Sequence, residues 1–504
     1  MAPGLLAIGR EKQLFFDDYC VQELVGVRHN FHQAKKHPAN PLLEQKEWWE
    51  SSHIELYGNV LYDPEHREFR MFYNARDKEG LDTVCLATSR DGVKFEREQL
   101  NILDHNGRSI SNAVLKGSLR LPTVLQSLDE SDPERRYRMI AFTARELVDF
   151  KSDLRSAFQH GYSVFFSPDA IHWKAYERNP VIQGSDMCTC FYDPVSREYI
   201  ALVKHHSTAG EKFRRCVGIT TSRDFINWGV VQTLLSADEI DDARVAERLY
   251  RFRDIVMYDN PKEYVADIYG MTGFRYEGLR LGLIWLYDRS GDRPPEHGGN
   301  DDGIINAQLV YSRSVNPYGY WHRTSERRDF ITCGNDGDFD AGMVLPASTV
   351  IEVGDEIWFY YTGCDGPHNF DLAGSSKFHP KSQSKISAKR GLSIGLATLR
   401  RDGFVSILAS YPSGKLTTKL LTFTGEHLEI NADSEKGSIF VELLDNQGTP
   451  IPGFAKADCI PFARDAIRGI VEWKGGRSVR DLANKPVRVV FHMETAKLYA
   501  FQFV

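Results

Sequence analysis

The sequence predicts an all-β protein, built as a five-bladed β-propeller followed by a C-terminal β-sandwich. Three observations lead to this prediction. Strand-like runs rich in Val, Ile, Tyr and Phe recur with Gly and Asp between them, a Ser-x-Asp motif follows several of these runs, and the pattern changes after residue 405. Helical periodicity is scarce along the chain, which favours strands throughout.

The Ser-x-Asp motif separates one strand-like run from the next. In "TSRDFINW", residues 221–228, Ser222 ends a run, Asp224 follows it, and Trp228 opens the return strand. The same order occurs at 89–95 and 167–173, in a longer form at 312–321, and in a degenerate form that ends at Phe404. An Asp in such a turn accepts backbone N–H bonds, and the aromatic residue packs on the sheet.

A hairpin precedes most copies of this motif. The hairpins span residues 58–75, 121–144, 188–203, 271–288 and 348–363. Asp63 and Asp193, both in "YDP", are predicted to cap hairpin turns. Two hairpins make a four-stranded sheet, so five such units describe a five-bladed propeller. The alternative is a set of ordinary hairpins in β-sandwiches, and the repeated order of the elements argues against it.

The last hundred residues have a different pattern. Short strands separated by Gly, Asn and Asp run to the end of the chain, without the hairpin-plus-aromatic repeat. We therefore expect the propeller, as the catalytic domain, to span 1–405 and a β-sandwich to span 406–504. The sandwich edges could pair subunits, so a homo-oligomer stays open.

Composition excludes several classes of partner. The 504 residues carry a net charge of -7, which gives no reason to expect nucleic acid or membrane binding. No apolar run is long enough to span a bilayer. The start of the chain shows no signal-peptide pattern, so we expect a cytoplasmic protein, although a chain trimmed of its leader would look the same. The eight Cys form no CxxC pair, and no stretch has metal-ligand spacing, so we expect neither a metal nor a cofactor.

The order of a propeller followed by a sandwich resembles glycoside hydrolase families 32 and 68, the invertase and levanase type. The propeller half also resembles that of families 43, 62, 117 and 130. The likeness is carried by four stretches, at 14–19, 57–73, 338–363 and 437–454, which look like those of uncharacterised family 32-like proteins. The Asn-Asp-Pro-Asn-Gly, Arg-Asp-Pro and Glu-Cys motifs of true invertases are absent. The resemblance therefore implies the fold and a carbohydrate substrate, and speaks against fructosidase specificity.

In such propellers the innermost strand of each blade lines a central funnel. Acids that lead these strands would therefore meet at the axis, where glycoside hydrolysis needs one protonated and one ionised carboxyl group. The predicted catalytic acids are Asp186, Asp340, Glu55 and Asp267. The second blade has no acid at this position, and its nearest polar residues are Asn112 and Arg120. Each acid could instead be a simple turn residue.

Six further residues are candidates for substrate binding. They are Trp49, Glu50, Asp338, Lys204, His205 and His368. An indole can stack on a sugar ring, although a packed core Trp is an equal alternative. The basic residues could bind a hydroxyl or a phosphate, or could simply be solvated surface.

Three functions are compatible with this pattern. The first is a glycoside hydrolase or transglycosidase that cleaves a furanoside or a small oligosaccharide with a carboxylic acid and a carboxylate. The second is an inverting phosphorylase of the family 130 kind, in which inorganic phosphate replaces water and is held by residues such as Arg214 and Arg215. The third is a non-catalytic carbohydrate-binding propeller. Recurrent acids at the starts of blades favour the first.

Overall fold

The computed structural model describes residues 4–127, 131–144, 160–207, 213–256, 261–292, 301–368, 391–410 and 413–504. Most of these residues lie in strands, which form the five blades of a propeller and the two sheets of a sandwich; the strands of blades 4 and 5 are joined into one nine-stranded sheet. This architecture confirms the predicted all-β propeller and sandwich. Residues 128–130 of the hairpin predicted at 121–144 lie outside the described residues.

The N-terminal segment contains five short strands and leads into the first blade. The strands are β1 (Leu6–Gly9), β2 (Gln13–Leu14), β3 (Val21–Val25), β4 (Val27–Phe31) and β5 (Lys35–Lys36). A 3-10 turn at Trp48–Glu50 follows. Blade 1 consists of β6 (His53–Asp63), β7 (Glu68–Arg76), β8 (Asp82–Ser89), β9 (Glu96–Arg97), β10 (Leu103–His105), β11 (Arg108–Ile110) and β12 (Ala113–Gly117). Its sheet order is β6-β7-β8-β12, with β9 also on β8 and β10 paired with β11.

Blades 2 and 3 are four-stranded antiparallel meanders. Blade 2 comprises β13 (Leu119–Gln126), β14 (Tyr137–Thr143), β15 (Gly161–Ser167) and β16 (Lys174–Ala175), with a 3-10 turn at Pro133–Arg135. Blade 3 comprises β17 (Cys188–Asp193), β18 (Glu198–Ser207), β19 (Arg214–Ser222) and β20 (Gln232–Leu235). Two short helices then follow, α1 (Glu239–Asp242) and α2 (Val245–Arg251).

Blades 4 and 5 complete the ring. Blade 4 comprises β21 (Ala266–Tyr276), β22 (Leu279–Asp292), β23 (Asp301–Ser312), β24 (His322–Arg323) and β25 (Asp329–Ile331). Blade 5 comprises β26 (Met343–Val353), β27 (Glu356–Cys364) and β28 (Leu392–Arg400). The N-terminal β5 is the outer strand of blade 5, where Lys36 pairs with Ala397. The start of the chain therefore closes the ring.

The Ser-x-Asp turns have one repeated geometry. In the copies at Asp91, Asp169 and Asp224, one carboxylate oxygen accepts the backbone N–H groups two and three residues later. The residue after the Asp has a positive φ in all three: +72° at Gly92, +65° at Ala170 and +67° at Phe225. The predicted turn role of these acids is therefore carried by the backbone N–H bonds that their carboxylates accept.

Polar side chains join the five innermost strands around the axis. Asn59 and Val124 join blades 1 and 2 by two hydrogen bonds of 2.5 and 2.8 Å. The other links are hydroxyl bonds, from Thr189 to the Met271 carbonyl, from Thr272 to the Ala347 carbonyl, and between Thr123 and Ser348 across blades 2 and 5. These bonds fix how far each innermost strand extends toward either end of the funnel.

The sandwich is completed by eight strands from the C-terminal part of the chain. They are β29 (Val405–Ala409), β30 (Gly414–Thr418), β31 (Leu421–Phe423), β32 (Leu428–Asp433), β33 (Ser438–Leu444), β34 (Asp465–Ile470), β35 (Arg488–Glu494) and β36 (Ala496–Phe503). A 3-10 turn lies at Val479–Leu482. One sheet has the order β34-β32-β36-β29-β4, with β2 on β36, and the other has the order β3-β30-β35-β33.

The first four strands therefore pair with strands of the C-terminal part, and only β5 belongs to a blade. β4 pairs with β29, β3 with β30, and β1 with β31. Phe15 and Cys20 lie in the sandwich core, while the neighbouring Phe16 packs in the propeller core. This arrangement differs from a division at residue 405 alone, because edge strands need partners and the first 31 residues supply them to both sheets.

Two further features concern the chain as a whole. Within the described residues, no helix combines the length and the apolar character that a membrane crossing requires. All eight cysteines are buried with free thiols.

Candidate active site

Contacts and electrostatic coupling bring residues of four blades together in the funnel. The charge of Asp186 acts on the pKa of Glu55, and the charges of both act on the pKa of Tyr269. Arg120 belongs to the same neighbourhood, because the N–H of the next residue, Leu121, donates to Asn74, the cross-strand partner of Glu55.

Asp186 lies between two cations. Its Oδ2 is 3.2 Å from Lys204 Nζ and 3.0 Å from Arg215 Nη2. The residue has a positive φ of 70°, a conformation that costs energy for a non-glycine residue. Burial disfavours the carboxylate, but the charges of Arg215 and Lys204 outweigh burial and lower the pKa of Asp186. Asp186 is therefore ionised at neutral pH.

Glu55 has the opposite environment. It is 7% exposed on β6. Burial together with the charge of Asp186 raises the pKa of Glu55 to about 8, and Arg76 acts against both. Glu55 is therefore a neutral carboxylic acid at pH 7, within electrostatic reach of an ionised one.

Asp82 is a third funnel carboxyl, which sequence reasoning missed. It is 1% exposed and lies 3.2 Å from Arg120 Nε and 3.7 Å from Arg76 Nη1. Burial raises the pKa of Asp82 to about 8, against Arg76 and with contributions from Glu55 and Asp77. Asp82 opens the third strand of its blade, so a search restricted to acids that lead first strands could not find it.

Aromatic rings line the funnel below the acids. Tyr57 contacts Trp285 at a ring-centroid distance of 5.2 Å, and Tyr269 stacks on Trp285 at 6.3 Å. The Arg215 guanidinium lies 3.5 Å from the Tyr269 ring centroid. His368 packs against Tyr269 at 5.0 Å and Tyr287 at 4.7 Å. Of the predicted binding residues, His368 and Lys204 therefore lie in this group.

Asp267 lies next to Arg215 and is paired with a different cation, Arg289. Its Oδ2 accepts bonds from Arg289 at 2.5 and 2.7 Å, and its Oδ1 accepts the backbone N–H of Arg215. Burial raises the pKa of Asp267 against the charge of Arg289. Asp267 supports the strand that carries Arg215, at a level nearer the start of β21 than Tyr269.

Asp340 is not brought to the Glu55–Asp186 pair. Its carboxylate is 1% exposed, lies 2.6 Å from Lys36 Nζ and accepts the Tyr361 hydroxyl at 2.8 Å. The loop before β26 places Asp340 three residues ahead of that strand, beside β5. Asp338 is exposed in the same loop and accepts the N–H of Asn335.

Three other predicted residues serve the blades. Trp49 is 4% exposed and donates to Asn112 in the core of blade 1. Glu50 is fully buried and binds Arg97 and Tyr73. Strand alternation turns His205 away from the face that carries Lys204, and its Cβ packs close to Gly218. None of the three lies with the Glu55–Asp186 pair.

Among the residues that the structure describes, one group has ligand atoms close enough for a metal ion. The ligand atoms of Asp63, Glu65 and His66 lie within 4.8 Å of one another. Asp63 already accepts the backbone N–H groups of Glu65 and His66 and contacts the His66 ring. These are the bonds of the hairpin turn that the sequence predicts at Asp63, and they account for the group.

The site is thus a pair of carboxyl groups in a propeller funnel, surrounded by arginine, lysine and tyrosine. No protein-family model matches the sequence, and no curated protein does. The chain is similar to several solved structures, which include a glycosyl hydrolase from Bacteroides ovatus, at 14% identity and TM-score 0.42, covering 78% of this chain and 97% of that one. Another is a family 43 arabinoxylan arabinofuranohydrolase from Bacillus subtilis in complex with cellotetraose, at 12% identity and TM-score 0.39, covering 94% and 99%. A third comes from work on family 130 mannoside phosphorylases and β-1,2-mannoside hydrolases, at 13% identity and TM-score 0.42, covering 78% and 97%.

Proposed function

We propose that the protein cleaves a glycosidic bond in the propeller funnel, with Glu55 as the general acid and Asp186 as the ionised carboxylate. One observation carries this proposal. Two electrostatically coupled carboxyl groups have environments that move their pKa values in opposite directions. Such a separation is what acid and carboxylate roles require at one pH.

Each partner has a physical reason for its role. A neutral Glu55 can donate a proton to the leaving oxygen, which otherwise departs as an unstable alkoxide. Asp186 is held by Lys204 and Arg215, so it remains charged and fixed in position to attack the anomeric carbon or to activate water.

The test is a panel of p-nitrophenyl furanosides and pyranosides together with small oligosaccharides, assayed with the wild-type chain. Glu55→Gln and Asp186→Asn should each lower kcat at least about 10²-fold on any substrate that is cleaved, the low end of acid–base catalysis. Glu96→Gln, the same chemical change at an exposed position on β9, is the matched control and should keep full activity. Full activity in both funnel variants would place the chemistry elsewhere.

Phosphorolysis is the second candidate, because Lys204 and Arg215 stand beside Asp186 and could also attract inorganic phosphate. The panel is therefore run with and without phosphate. Turnover that requires phosphate and yields a sugar 1-phosphate identifies a phosphorylase. Saturable sugar binding without turnover in either condition identifies a binding protein.

A further inference from the structure

The funnel carries more positive charge than its acids neutralise. Two carboxyl groups are each held by two cations: Asp82 by Arg76 and Arg120, and Asp186 by Lys204 and Arg215. While Glu55 is protonated, these four cations leave an excess of two positive charges with Asp82 ionised, and of three where the raised pKa of Asp82 keeps it protonated. The whole chain, by contrast, has a net charge of -7.

The ion pairs beside these groups are balanced. Asp267 is paired with Arg289, and Arg214 with Asp242, so these pairs cancel. Asp77 lies near Asp82 and lowers the excess by one, although its carboxylate caps a turn by accepting the N–H groups of Glu79 and Leu81. A cleft with a net positive potential favours a negatively charged ligand.

Arg120 is the cation best placed to meet such a ligand. Its Nε donates to Asp82 Oδ2 at 3.2 Å, which fixes the plane of the guanidinium. Its two Nη groups have no hydrogen-bond partner among the described residues, and 37% of the side chain is exposed. Lys204 and Arg215 are less exposed, at 22% and 13%, and both are already engaged with Asp186.

The position of Arg120 also links it to the chemistry. It stands near the start of the innermost strand of blade 2, where the N–H of the next residue, Leu121, donates to Asn74, the cross-strand partner of Glu55. Its partner Asp82 is also electrostatically coupled to Glu55. A guanidinium whose Nε is already held still presents two Nη groups, and this fork matches the two oxygens of a carboxylate.

We propose that Arg120 binds a carboxylate on the sugar, so that the substrate is a glycoside of a uronic acid. This inference rests on the proposed function and names the substrate class of the same site. Asp82 orients Arg120, and the surplus charge of the funnel makes the site selective for the anionic sugar over its neutral counterpart.

The test uses matched p-nitrophenyl pairs that differ only at C6: glucuronide against glucoside, and galacturonide against galactoside. The wild type should show kcat/KM at least about tenfold higher for the uronide in one pair, as expected for a charge-assisted hydrogen bond. Arg120→Gln should lower the ratio of uronide to neutral sugar toward one, mainly through KM, and Arg120→Lys should give an intermediate ratio because it keeps the charge but not the fork. Arg178→Gln, at an exposed arginine of blade 2, should leave the ratio unchanged.

Circular dichroism and thermal melting of each variant establish that it is folded. Calorimetric titration with free glucuronate, galacturonate, glucose and galactose needs no turnover, so it tests this inference independently of the proposed function. Uronate binding that Arg120→Gln abolishes would support the anion site even if no glycoside were cleaved. Equal turnover of the neutral and acidic partners would overturn the inference and leave the hydrolase standing. Cleavage of neutral glycosides that depends on inorganic phosphate, with this dependence lost in Arg120→Gln, would also overturn it, because the anion would then be phosphate.

Discussion

Arg215 Nη2 lies 3.0 Å from Oδ2 of Asp186, and the same guanidinium lies 3.5 Å from the Tyr269 ring centroid. The tyrosine thus fixes the cation that keeps Asp186 ionised, while the neighbouring Glu55 is kept neutral by burial. The different charges of two nearby carboxyl groups follow from this arrangement, and the predictions below depend on it.

The first prediction concerns the pH dependence of kcat/KM. Activity needs Asp186 ionised and Glu55 protonated, so the profile should be bell-shaped. The acidic limb should lie at a pH below the ordinary pKa of an aspartate, because the pKa of Asp186 is lowered. The alkaline limb should lie near pH 8, where Glu55 ionises. Initial rates between pH 3 and pH 10 (roughly, the range in which the chain is expected to stay folded) measure both limbs. A profile without the alkaline limb would remove Glu55 from the acid role.

The second prediction concerns Arg215→Gln. Loss of the cation leaves burial less opposed, so the pKa of Asp186 should rise and the acidic limb should move to higher pH. Arg214→Gln is the matched control, because the adjacent arginine binds Asp242 and not Asp186. It should lower the melting temperature without moving the limb. Equal limb positions in the two variants would contradict the assignment of Arg215.

The third prediction concerns stability, measured by urea unfolding at several pH values. The folded pKa of Glu55 is about 8 and its ordinary value is 4.5, so the folded chain binds the proton more tightly than the unfolded chain does. Its contribution to the free energy of unfolding is therefore fully present below pH 4.5 and is lost as pH rises toward 8. The Gln side chain of Glu55→Gln has no proton to lose. As pH rises from 4.5 to 8, the unfolding free energy of this variant should therefore increase by a few kcal/mol relative to that of wild type. Parallel curves for the two proteins would show that Glu55 is already ionised.

The fourth prediction concerns Asp340→Asn. The sequence suggested a catalytic role for Asp340, whereas its carboxylate pairs with Lys36 of the strand that closes the ring. Loss of that charge leaves Lys36 unpaired beside a buried site and should cost about 3 kcal/mol of unfolding free energy. Turnover per folded molecule should change less than in Asp186→Asn. The concentration of folded protein is measured for this comparison by a method that does not depend on activity. A large loss of kcat at unchanged stability would restore Asp340 as a catalytic acid.

The repeat could be predicted from the sequence because the interactions that produce it join residues close along the chain. A Ser-x-Asp turn needs only a carboxylate, the N–H groups that follow it and one residue with a positive φ, and all of these lie within a few residues of Asp91, Asp169 and Asp224. Strand runs and hairpins are local in the same sense. The number of blades, the order of strands within them and the change to a sandwich could therefore be predicted from the chain.

The residues that line the funnel could be predicted from the sequence only in part. Glu55 and Asp186 were found because each stands near the start of an innermost strand. Asp82 and Tyr269 were missed, since one opens a third strand and the other follows Asp267 by two residues without any motif. Arg120 was noted only as a polar residue in a blade without an acid.

The sequence by itself determined the blades, their turns and the supply of acids at blade starts, because these follow from contacts between residues close along the chain. Only the tertiary structure decided that Asp340 pairs with Lys36, that the first strands complete the sandwich, and that four cations surround Asp82 and Asp186. The physical reason is that charge pairing and burial depend on distance in space. Bonds such as those between Asn59 and Val124, which set one blade against the next, join residues far apart in the sequence.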